Sequence, residues 1–156
     1  MTERRPWWYS GDDAEASGVH TIRIDAPEHR SLPALLAPRL RVALLRLSKQ
    51  EHAKHLAVRG LRALAGFAKG LKFTYKDIEV GLDYDSEPGL ADNGDLEHDL
   101  QDLLESAGAA AKAVGTALVI FLDELQYVPE APLAALITAM HRCAQRQVPV
   151  LLVGAD

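Results

Sequence analysis

The chain is 156 residues long, 48% hydrophobic and 25% charged, with a formal net charge of −5. That is one domain's worth of chain, apolar enough for a core without covalent staples, and it excludes collagen-like, low-complexity and wholly disordered classes. The single cysteine, Cys143, excludes an internal disulfide. The longest uninterrupted aliphatic or aromatic run, residues 117–122, is far short of the ~20 residues a membrane helix needs. The N-terminus has no apolar segment of the secretory type. The cytoplasm is the expected location, and no membrane partner is expected.

The net charge hides a segregation. Residues 30–76 carry eleven Lys or Arg and one acid, Glu51, whereas residues 77–105 carry eleven Asp or Glu and no Lys or Arg. The main expectation is two solvated faces that attract one another. A basic surface for nucleic acid or another acidic partner is the sharper alternative, opposed by the acidic total.

In chain order, residues 1–18 are polar and aperiodic and are expected to form a weakly ordered leader. Trp7, Trp8 and Tyr9 cluster there, which leaves a docking aromatic patch as an alternative. Val19 to Ile24 is expected to be a short strand, stopped by Pro27. Ser31 to Leu47 has a helical stripe of Leu36, Leu40, Ala43, Leu44 and Leu47, with Pro33 in its first turn. Pro38 is expected to kink or restart that helix. Ser48 and Glu51 have the spacing of a capping box. The next helix shows a stripe from Ala53 through Leu56, Gly60, Leu64 and Phe67 to Leu71.

The period then changes to two. Phe73 and Tyr75 share one parity, and Ile78, Val80, Leu82 and Tyr84 the other, so a hairpin or bulge is expected near Lys76-Asp77. Ser86 to Gly94 reads as a loop. Asp95 is placed to cap a helix that runs through Leu96, Leu100, Leu103, Leu104 and Ala107 and ends at Gly115. Thr116 to Leu122 is apolar on both parities, which demands burial on both faces, as in a parallel sheet. A helix from Ala131 to Arg146 and a second two-sided strand, Val148 to Val153, complete the alternation. The fold class is α/β with a parallel sheet.

Asp123-Glu124 directly follows the buried strand. Ligands of open α/β sheets bind at the carboxyl ends of the strands. Two carboxylates there cost desolvation unless a cation or hydrogen bonds compensate. Leu-Val-Ile-Phe-Leu-Asp-Glu has the Walker B form of P-loop NTPases. In that use the first acid holds Mg2+ through water and the second orients the attacking water. Successive strand residues point to opposite sides, so the acids need not share a task. The alternative is a structural cap of the strand.

Phe-Leu-Asp-Glu-Leu-Gln-Tyr-Val-Pro at 121–129 precedes a helix and then Val-Pro-Val-Leu-Leu-Val-Gly-Ala at 148–155. Together with Gly-Asp-Leu-Glu-His-Asp-Leu at 94–100, this resembles bacterial AAA-family ATPases, relatives of the origin-recognition and signal-transduction ATPases. The resemblance spans roughly residues 19–156. It implies a three-layer P-loop-type sheet, incomplete at about three core strands, with a helical and hairpin insertion at about 49–85. It implies ATP and Mg2+ as cofactors of the complete domain. Asp123 would be the magnesium-associated acid, Glu124 the catalytic base, and Asp156 would stand near the sensor position.

One departure is large. No lysine of the chain follows a glycine, so the phosphate-holding Gly-x-x-x-x-Gly-Lys-Ser/Thr loop is absent. The resemblance therefore implies a fragment, with residues 1 to about 18 in place of the P-loop strand, loop and helix, and with no lid domain. The family's strand order implies three adjacent strands, with Val148 to Val153 left as an open apolar edge suited to a protein partner or self-association. Alone, the chain is expected to be inactive. The alternative function is a non-enzymatic module that contacts protein or nucleic acid through its basic helix and hairpin.

His52 and His55, at i,i+3 beside Glu51, approximate a metal pair but belong on a solvated flank. Arg142 and Arg146 suit a helix C-terminus; one of them reaching a neighbour's phosphate is the alternative.

Overall fold

The computed structural model describes residues 19–26 and 30–155. The expected leader, residues 1–18, and Asp156 lie outside the described residues. Three strands form one parallel sheet: β1 (His20–Asp25), β2 (Leu118–Asp123) and β3 (Val150–Gly154), in the order β1-β2-β3. Between β1 and β2 come α1 (Leu32–Ser48), α2 (Lys54–Leu71) and α3 (Leu96–Ala113); α4 (Glu130–Gln145) links β2 to β3. The register sets Ile22 beside Ile120 and Ile120 beside Leu152.

Alternate residues of the strands define one covered face. Ile22, Ile24, Leu118, Ile120, Leu122 and Val150 join a single core with Leu36 and Leu40 of α1, Phe67 of α2, Leu103 of α3 and Leu136 of α4. The geometry follows from handedness. Right-handed crossovers that step in the same direction, β1 to β2 to β3, deposit their helices on the same side. The described residues thus build two of the three expected layers, the sheet and one layer of helices. β2 is buried at every position from Leu118 to Leu122, as its two-sided apolar sequence requires.

Several local expectations give way to packing. α1 continues through Pro38 and does not restart there. The flanking Ala37 and Leu40 are fully buried, and the Arg39 guanidinium donates to the Leu35 carbonyl at 3.0 Å. Burial on both sides outweighs the lost backbone bond. The Ser48–Glu51 capping box does not form. Ser48 Oγ instead donates back to the Leu45 carbonyl at 2.7 Å as the last residue of α1, and α2 begins at Lys54 without a side-chain cap. Ser31 does cap α1, accepting from the Ala34 amide, and is itself fixed by Asp77 at 2.8 Å. Asp95 occupies the N-cap of α3 but makes no capping bond. The fully buried Asp99 ties that end instead, accepting from the amides of Asn93 and Gly94 at 2.9 and 2.8 Å. Gly115, at φ +69°, follows the end of α3 in the left-handed conformation that terminates helices.

The expected hairpin is also absent: residues 73–84 contain no strand. Of the alternating set only Tyr75, Ile78 and Val80 reach the core, while Phe73, Leu82 and Tyr84 are exposed. Ile78 is buried in the core, and Asp83 is gripped by Arg41 through two bonds of 2.8 and 2.9 Å. Two ion pairs, Arg41–Asp83 and Arg59–Glu87, thus join the basic stretch to the acidic one across α1 and α2.

The Arg41 hydrogen bond holds the Asp83 carboxyl below its ordinary value of 3.8; partial burial opposes this and the Arg41 charge assists. A depressed folded-state pKa stabilises above the unfolded value and is lost as pH falls through the folded one. Asp83→Asn is accordingly expected to lower the urea midpoint at pH 7. The difference from the parent should shrink as pH falls below the ordinary carboxylate value and through the depressed folded-state one; a gap that does not change with pH would disprove the pairing.

β3 pairs only with β2 among the described residues, and Leu151 on it is 57% exposed. An apolar strand with an open edge recruits further strands. Size-exclusion chromatography is expected to show self-association that rises with concentration. A well-behaved dilute monomer would count against this.

Candidate functional site

β2 ends at Asp123, in register with Asp25 of β1, so two carboxylates stand side by side at the carboxyl edge of the sheet. Sequence reading had singled out Asp123 and missed Asp25. The available signal was the position of Asp25 at the carboxyl end of a strand, where ligands of such sheets gather. A cavity of about 170 Å³ opens here, lined by Arg23, Asp25, Phe121, Asp123, Val153 and Ala155 among others. The Arg23 guanidinium lies over the Phe121 ring, 5.3 Å from its centroid, which places a cation in the wall.

Asp123 is half-buried and accepts the Glu124 amide at 2.9 Å. Its backbone carbonyl accepts from Ala26, which joins the end of β1 to the end of β2. Glu124 departs from the strand. Its backbone is left-handed, at φ 59° and ψ 49°. Such a conformation costs a non-glycine residue on the order of 1 kcal/mol and persists where surrounding contacts impose it. Those contacts are visible: the Leu125 amide donates to the Ala155 carbonyl, and the Ala155 amide donates to the Leu122 carbonyl, both at 3.0 Å. The two strand ends are thereby clamped together, and the short turn Leu125–Tyr127 follows. Strand alternation therefore does not set the direction of Glu124, contrary to expectation. Its carboxylate accepts from the Gln126 side-chain amide at 2.5 Å, and it is not among the residues lining the cavity.

The site thus brings Asp123 to the cavity wall, places Glu124 beside it on a strained turn, and carries the chain at Ala155 into the same wall. Asp156, the third expected site residue, falls outside the described residues. His52 and His55 are both exposed, and among the described residues no cluster of three or more His, Cys, Asp or Glu is arranged to hold a metal. Arg146 is engaged with Glu105 at 3.2 Å on α3. Cys143 is buried; desolvation, helped by the nearby Glu105 charge, pushes its thiol up to about 11 and makes it a poor nucleophile. No helix among the described residues is long and apolar enough to cross a membrane.

Fold and site define the class: a parallel α/β protein with a carboxylate pair at the carboxyl end of its central strand. No known protein family, curated protein or solved structure matches this chain.

Proposed function

We propose that the chain is the Walker B-bearing part of an AAA-type ATP-binding and ATP-hydrolysing domain. The observation that carries this reading is the position of Asp123-Glu124, at the carboxyl end of the middle strand of a parallel sheet and beside a cavity. The donor chemistry suits magnesium. Mg2+ is held by one or two carboxylates together with waters and substrate phosphates, so it needs no larger protein cluster. Asp123 would hold the ion through water, with Asp25 as a neighbouring anion. Glu124 would position and deprotonate water, and its strained turn sets it apart from a simple strand cap.

ATP itself is not fully accommodated. A 170 Å³ cavity is smaller than the pockets of about 300 Å³ and more that enclose whole ligands. The sequence also holds no Gly-Lys-Ser/Thr loop to cradle phosphate. In this reading phosphate is gripped by residues other than these 156, and the chain alone is inactive.

Isothermal titration of the chain with Mg-ATP is expected to show no micromolar binding; micromolar binding would refute the missing-cradle reading. In a protein that joins this chain to a Gly-x-x-x-x-Gly-Lys-Thr loop, Glu124→Gln is expected to keep ATP binding and lose turnover by about 100-fold or more. Unchanged turnover would remove Glu124 from the proposal.

A further inference from the structure

The basic half and the acidic half of the chain meet through one segment. Among the described residues, no backbone–backbone hydrogen bond joins residues 79–86 to any part of the protein, and they belong to no helix or strand. Side chains of α1, α2 and the residue after α2 hold the segment instead. Lys72 donates to the Ile78 carbonyl and Arg41 forks Asp83. Arg62 donates to the Asp85 carbonyl at 3.1 Å and stacks over Tyr84, 5.4 Å from its centroid; Arg59 meets Glu87 at 3.6 Å. Buried Ile78 and Leu90 anchor the two ends, while Leu82 and Tyr84 between them are exposed. Contacts of this kind weaken with salt and open locally without unfolding the core.

The chemistry of the segment is specific. Carboxylates recur at every second residue, Asp83, Asp85 and Glu87, with the Tyr84 ring between the first two. Evenly spaced anions with an interposed π-face are the pattern of a single nucleic-acid strand. The surface beneath answers in kind. Its guanidinium fork on both oxygens of a carboxylate suits phosphate equally, and its second arginine stacks on a ring as it would on a base. A groove of about 330 Å³ already lies under the segment, lined by Arg62, Lys69, Leu82, Asp83, Tyr84 and Asp85.

We propose that residues 79–87 are an internal mimic of a nucleic-acid strand, masking an α1–α2 face that binds single-stranded nucleic acid when the segment lifts.

The test compares three proteins by fluorescence anisotropy with a labelled single-stranded oligonucleotide at low and high salt. They are the parent, Asp83→Asn/Glu87→Gln, and Asp95→Asn/Glu97→Gln. The last pair makes the same charge change on exposed residues at the start of α3. The mask variant is expected to bind at least tenfold tighter than the parent, with affinity falling as salt rises, and the control is expected to match the parent. Equal gains in both variants would reduce the effect to net charge and overturn the proposal, as would no gain in either. Stronger competition by polyglutamate than by unlabelled oligonucleotide would assign the face to an acidic peptide and overturn it too. Should the double variant fail to fold, Glu87→Gln alone, whose ion pair is solvent-exposed, is expected to show a smaller gain in the same direction; no gain there counts against the mask. Limited proteolysis of the folded variant with chymotrypsin is expected to cut faster at Leu82 and Tyr84 than in the parent, while the amides of β2 stay protected from hydrogen exchange.

Discussion

Gly108→Val is expected to destabilise the chain by about 3 kcal/mol, at the top of the range for overpacking a core. Gly108 sits in the middle of α3, where glycine is a poor helix former. Its place is explained by what faces it. A Cβ there would collide with Val148 and come within 2.6 Å of a methyl of Val150. These β-branched side chains have little rotamer freedom with which to withdraw. The missing side chain lets α3 lie directly on the start of β3, and contacts between α3 and α4 bind the pair further. A loss of 3 kcal/mol is a large share of the 5–15 kcal/mol typical of a domain. Urea unfolding followed by far-UV circular dichroism should show a lower midpoint with an unchanged slope. Gly108→Ala separates the causes. Helix propensity alone would stabilise by about 1 kcal/mol, whereas the collision predicts a net loss that Val148→Ala partly restores. A Gly108→Val protein as stable as the parent would show that the close approach is not present in solution.

Asp99→Ala should cost about 3 kcal/mol. Asp99 is fully buried and accepts two backbone amides, from Asn93 and Gly94, that have no other described partner. Hydrogen bonds to a charged group are worth about 1.5–3 kcal/mol, and removing the acceptor takes both part-buried bonds away and leaves a void at the fully buried Asp99 position. Asp99→Asn is the sharper variant. Its single oxygen can satisfy one amide, but its NH2 must then face the other N–H. Most of the cost is therefore expected to remain, although shape and size are kept. Thermal and urea unfolding of both variants measure this. If Asp99→Asn matches the parent, the carboxylate is not anchoring the loop.

The strands, the four main helices and the parallel class were legible in sequence because their signals are local. Two-sided apolar runs mark buried strands, and 3.6-residue stripes mark helices. Errors arose where a short signal had two physical uses. Ser48 and Glu51 have the spacing of a helix start, yet the serine hydroxyl serves equally well to finish the preceding helix. Alternation in residues 73–84 suggested a strand, but only Tyr75, Ile78 and Val80 are drawn to the core, and a helix surface receives three such side chains as readily as a sheet. Pro38 carries a local penalty that the packing of Leu36, Ala37 and Leu40 exceeds.

For the candidate site, Asp123 and Glu124 stood out because two acids end an otherwise apolar strand. Asp25 did not, because its pairing with Asp123 depends on register between strands more than 90 residues apart. Nor could sequence show that Glu124 leaves the strand in a left-handed turn, since clamping by Ala155 imposes it.

By itself the sequence determined the α/β class, the positions of the elements and the segregation of charge, since each follows from side-chain chemistry within a few residues. Only the tertiary structure decided which carboxylates share the sheet edge, which side of the sheet the helices cover, and which arginine holds which acid. Those outcomes rest on strand register, crossover handedness and contacts between distant segments, and no local pattern encodes them.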